Sequence, residues 1–78
     1  MLAINQRIFV TKRLADKTGT NFIPTKGEAV ITIMNDEVAE YKFLKPLVDE
    51  YTGFIHSGGG IILSDIEEMI REGKLSFE

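Results

Sequence analysis

The chain has 78 residues, 44% of them apolar and 27% charged, with a formal net charge of −3. These are the proportions of one soluble globular domain, and they exclude collagen-like, disordered and coiled-coil chains. The absence of cysteine excludes a disulfide framework, a thiolate nucleophile and a Cys-ligated metal.

Ile4 to Leu14 alternates, with Ile4, Ile8, Val10 and Leu14 on one face and Asn5, Arg7, Phe9, Thr11 and Arg13 on the other. This is the pattern of a half-buried strand. Residues 16–21, Asp-Lys-Thr-Gly-Thr-Asn, read as a loop. Phe22 and Ile23 suit a short strand stopped by Pro24, which cannot donate to a ladder, and Thr25 to Gly27 suit a further turn. Glu28 to Met34, with Val, Ile, Thr and Ile in succession, is a strand.

Asn35 and Asp36 suit a hairpin turn into a strand over Glu37 to Phe43. Pro46 costs little at the first position of a helix, where its missing N–H needs no partner. A short helix from Pro46 to Tyr51, ended by Gly53, is therefore expected. Phe54–His56 and Ile61–Leu63 flank Ser57-Gly58-Gly59-Gly60, which reads as a hairpin with a glycine-rich tip. Three glycines in series are costly to order, so the tip is expected to be mobile until a partner approaches. Ser64-Asp65-Ile66-Glu67 matches a capping box and opens a helix that Gly73 ends. Leu75 and Phe77 suit a final edge strand.

The expected fold is one α+β domain over residues 1–78, mainly an antiparallel sheet of about six short strands with two short helices. Ile8, Val10, Ile31, Ile33, Ile62, Ile66 and Ile70 are expected to form its core. No apolar run approaches the ~20 residues of a membrane span. No basic segment followed by an apolar stretch opens the sequence, so a cytoplasmic protein is expected.

Candidate chemistry is sparse. His56 beside Ser57 suggests a base and a nucleophile, but neighbouring strand residues point to opposite faces. Glu67, Glu68 and Glu72 read as a solvated helix face, with no second carboxylate motif to converge on. No catalytic residue, metal or cofactor is assigned.

Three binding readings remain. The first is a non-catalytic module, a small regulator or inhibitor that docks on a larger protein through a sheet edge and loop surface. Its contacts are His56, Ser57, Gly58, Gly59, Gly60 and Ser64. Short strands leave edges that pair with a partner, and a homodimer would help so small a chain bury surface. The second is nucleic-acid binding through Arg7, Phe9, Lys12, Arg13 and Lys17, with cations on phosphates and rings under bases. Residues 1–26 hold five basic residues against one acidic, and the remainder four against eleven. The third is a nucleotide or small anion held by the glycine-rich tip over the Ser64 helix start.

Overall fold

The computed structural model describes residues 2–77. Five strands, β1 (Arg7–Ala15), β2 (Phe22–Met34), β3 (Val38–Val48), β4 (Ile55–Ile62) and β5 (Leu75–Phe77), form one sheet in the order β4-β3-β2-β1-β5. Every neighbouring pair is antiparallel. A 3-10 turn (Leu63–Asp65) and the helix α1 (Ile66–Arg71) carry the chain from the β4 edge of the sheet to the β5 edge. The α+β class and the antiparallel sheet agree with the sequence, with five strands and one α-helix in place of about six and two.

One face of the sheet is the core. Ile8 and Val10 of β1, Ala29 and Ile31 of β2, Ala39, Tyr41 and Phe43 of β3, and Ile61 of β4 are buried with Leu2 and Leu75. Ile66 and Met69 of α1 pack against them, half-buried. Three residues expected in the core lie outside it: Ile33, Ile62 and Ile70 are 58%, 54% and 43% exposed. Ile33 leaves because a bulge interrupts the β2–β3 ladder. Ile31 opposes Tyr41 and Ile33 opposes Glu40, so the extra residue turns Ile33 to the outer face. In β4 the inward position is Ile61, one residue before Ile62.

The locally coded turns form as expected. Asn35 Oδ1 accepts from Glu37 N (2.7 Å) and Val38 N (2.8 Å), closing the β2–β3 turn. Gly73 takes φ +75°. Its N–H donates to Ile70 O (3.1 Å), and Lys74 N donates to Met69 O (2.8 Å), the double bond pattern that ends helices at a glycine. The Ser64 capping box is not made: α1 follows the 3-10 turn without a side-chain cap.

Both prolines lie inside strands, so the expected stop at Pro24, the turn at Thr25–Gly27 and the helix from Pro46 are corrected. Hydrogen-bond polarity explains how the strands tolerate them. Asp16 N donates to Asn21 O (3.0 Å) within the β1–β2 hairpin, and Thr11 N donates outward to Lys74 O (2.9 Å). Even-numbered β1 residues therefore bond odd-numbered β2 residues, and Pro24 turns its missing N–H away from β1. On β3, Asp49 N donates to Phe54 O (2.9 Å) and Leu63 N to Glu37 O (2.8 Å). Odd-numbered β3 residues thus face β4, and Pro46 faces β2. The β2–β3 ladder extends only from Ala29–Phe43 to Met34–Ala39. Beyond Phe43 the two strands part, and each proline stands on an edge that pairs with nothing.

Candidate protein-interaction edge

Where β2 and β3 part, the sheet divides into two hairpins. Leu14, Ile23, Gly27, Leu44, Leu47 and Val48 line the groove between them. Gly27 lets the divide form, because a Cβ there would lie 2.8 Å from the Phe43 ring. Phe43 in turn meets Tyr41 edge to face, with centroids 5.4 Å apart.

The hairpin tips are tied together at the far end of the groove. Ala15 N donates to Asp49 Oδ2 (3.3 Å) and Glu50 N donates to Ala15 O (3.2 Å). The Tyr51 ring lies over Gly19, where a Cβ would come within 2.6 Å and where φ is +74°. Each tip is organised by an aspartate. Asp16 Oδ1 accepts from Thr18 Oγ1 (2.6 Å), Thr18 N (3.0 Å) and Gly19 N (3.1 Å), and Oδ2 accepts from Asn21 Nδ2 (2.8 Å). The Thr18 and Asn21 side-chain bonds lower its pKa to about 2. Asp49 Oδ1 accepts from Tyr51 N and Thr52 N, both at 3.0 Å. These backbone bonds, that of Thr52 first, hold its carboxyl below the usual range.

The glycine-rich segment is not a hairpin tip. Gly58, Gly59 and Gly60 are consecutive residues of β4, opposite Lys42, Tyr41 and Glu40 of β3, and none has a positive φ. The expected mobile turn is therefore corrected to a paired strand, and the anion-binding alternative loses the tip on which it rests. The glycines answer to β3. A Cβ at Gly58 would run into the Tyr41 carbonyl oxygen, and one at Gly59 would lie 2.7 Å from the Tyr41 hydroxyl. A Cβ at Gly60 would meet nothing nearer than Val38 Cγ1 at 3.8 Å. Packing thus accounts for two of the three, and Gly60 has no such reason to be glycine.

On its far side β4 is an open edge. Its eight residues, Ile-His-Ser-Gly-Gly-Gly-Ile-Ile, include no Lys, Arg, Asp, Glu or Pro. Because Leu63 N bonds Glu37 O, Gly59 and Ile61 direct their backbone toward β3. Gly58 and Gly60 direct theirs outward. The strand is irregular only near Ser57, where the ladder steps from Lys42–Gly58 to Leu47–His56. His56 is half-buried, with Phe54 edge-on at 4.7 Å. Exposed Phe54, Ile55 and Ile62 extend the apolar character to both ends of the strand. From sequence, Ser57 to Gly60 read as a loop with His56 at its edge, Ile55 as part of the flanking segment and Ile62 as core; the lack of charged residues from Ile55 to Ile62 was the available signal for an edge. Ser64 lies just past the strand in the 3-10 turn and is exposed.

The basic set is separated. Arg7, Phe9 and Arg13 share the outer face of β1, but Lys12 lies between buried Val10 and Leu14 on the opposite face, and Lys17 lies in the hairpin loop. Across from Phe9, Glu28 holds Arg7 at 3.3 Å. Lys26 Nζ sits 4.9 Å from the centre of the Phe9 ring. The face is of mixed charge, and the Phe9 ring is already covered by a lysine.

Among the described residues no three His, Asp or Glu side chains are grouped to hold a metal ion, and no helix is long and apolar enough to cross a membrane. No protein-family model, curated protein or solved structure matches the chain.

Proposed function

We propose that the protein is a non-catalytic binding module, a small regulator or inhibitor that engages another polypeptide by strand addition at the β4 edge. One observation carries this reading. β4 is an eight-residue strand, paired on one side only, with no charge and no proline. Such an edge is a template for an incoming strand unless a charge, a proline or a covering segment blocks it. Backbone groups of Gly58 and Gly60 supply the hydrogen bonds, and Phe54, Ile55 and Ile62 supply apolar contact at the ends.

Quantitative affinity capture with the full chain and its Gly60→Lys variant tests the reading. A Cβ at Gly60 would make only ordinary contacts, with Val38 Cγ1 at 3.8 Å and Ala39 O at 3.9 Å, so lysine there is accommodated by the fold and places a charge on the edge. Captured protein should fall at least ten-fold for the variant. Equal capture by both chains defeats edge docking.

A further inference from the structure

We infer that the strand added at the β4 edge is β4 of a second copy of this chain, joined antiparallel about a two-fold axis through Gly59. The inference rests on the edge-docking reading and names its partner. A two-fold interface must be complementary to itself, and the outer face around the glycines has that property. Glu40 lies opposite Gly60 and Lys42 opposite Gly58 on β3. Both are exposed, and among the described residues neither makes an ion pair.

In the Gly59-centred register Gly58 of one copy faces Gly60 of the other. Both glycines direct their backbone outward, so this pair exchanges N–H···O bonds, and symmetry repeats the exchange. A row then runs Lys42, Gly58, Gly60, Glu40 across four strands, the last two residues belonging to the second copy. Its ends are three strand spacings apart, about 14 Å. No side chain stands between them, so an extended Lys and an extended Glu lean toward each other over the glycines and bring opposite charges within a Debye length. The two-fold axis forms this pair twice. A side chain at position 60 would stand in the row, which gives the reason for glycine that packing within one copy does not supply. β4 itself brings no like charges together. A register shifted to centre on Gly60 places Ile62 opposite Gly58 and leaves Lys42 facing Val38, without an ionic partner.

Sedimentation equilibrium of the full chain, together with amide exchange read by NMR across a concentration series, tests the proposal. A dimer is expected, with Gly58 and Gly60 amides protected only as it forms and Gly59 and Ile61 protected throughout. Glu40→Lys and Lys42→Glu should each raise the dissociation constant about ten-fold, since two attractions between opposite charges become two repulsions. The double exchange should return it to within about three-fold of the parent. A monomer at millimolar concentration overturns the proposal. So does a dimer with freely exchanging Gly58 and Gly60 amides, or a double variant no tighter than the single ones. A monomer whose captured protein is still lost on Gly60→Lys retains edge docking and removes self-pairing, a dimer indifferent to Gly60→Lys removes self-pairing at β4, and only equal capture by both chains removes edge docking itself.

Discussion

The strand edges along the groove and the outer edge of β4 both lack a partner among the described residues, and they are treated in opposite ways. Along the groove, β2 and β3 diverge beyond Ala29 and Phe43, and each carries a proline that presents no donor to the gap. The prolines of the chain number two, and both stand on these edges. The outer edge of β1 is also managed: β5 covers Ile8 to Val10, Lys74 accepts from Thr11, and the Asp49–Glu50 turn binds Ala15. β4 has none of these protections over eight residues. Among the described strands β4 is the longest edge left both open and uncharged, which is the feature the proposed edge docking uses. The contrast also separates two meanings of small, flexible residues. At the groove Gly27 makes room for the Phe43 ring, whereas at the edge no neighbour within the chain requires position 60 to be glycine.

The largest expected effect is at the divide itself. Phe43→Ala removes the ring that fills the branch point against Gly27 and Tyr41, and should cost about 3–5 kcal/mol in urea unfolding. A loss below about 1 kcal/mol would mean that the two hairpins hold their positions without it. Next comes the test of the glycines against one another. Gly58→Ala drives a methyl into the Tyr41 backbone and should cost about 1–3 kcal/mol. Gly60→Ala should stay within about 0.5 kcal/mol in the monomer. Equal losses at both positions would erase the distinction drawn between them.

Unblocking the groove offers a third test. Pro24→Thr combined with Pro46→Thr restores two donors to edges that the prolines now silence. Light scattering should show concentration-dependent association absent from a monomeric Gly60→Lys background. No new association in that background would show that the prolines do not serve as blocks.

The smallest effect concerns the tie between the tips. Asp16 and Asp49 have lowered pKa values in the folded state, so their contribution is complete above the ordinary carboxylate value. It is lost as pH falls through the folded value. For Asp16 that window runs from about 4 down to about 2. Amide exchange at Thr18, Gly19, Tyr51 and Thr52, corrected for intrinsic pH dependence, should lose protection over this range before the core strands do. Simultaneous loss in tips and core would show that the tips have no separate stability.

What was legible in the sequence was local. Asn35 closes its turn with its own side chain, and at Gly73 α1 ends through bonds from Gly73 to the residue three back and from Lys74 to the residue five back. Ile8, Val10 and Ile31 are buried by plain alternation within a strand. The proline argument was right in its chemistry, since Pro46 does occupy a position where no N–H is needed. A helix start and an unpaired strand edge both meet that condition, and the residue cannot distinguish them.

What the tertiary structure alone decided depends on a partner distant in sequence. Gly58 to Gly60 suit a turn as well as a strand, because glycine populates both conformations. Pairing with Lys42, Tyr41 and Glu40 made them a strand. Ile33 follows the same alternation as Ile31, and the bulge opposite Glu40 and Tyr41 turned it outward. The open edge is likewise a property of strand order rather than of any segment. Composition recorded that Ile55 to Ile62 lacks charge. Only the order β4-β3-β2-β1-β5 set that segment at the rim, because long-range packing determines which strands are covered on both sides.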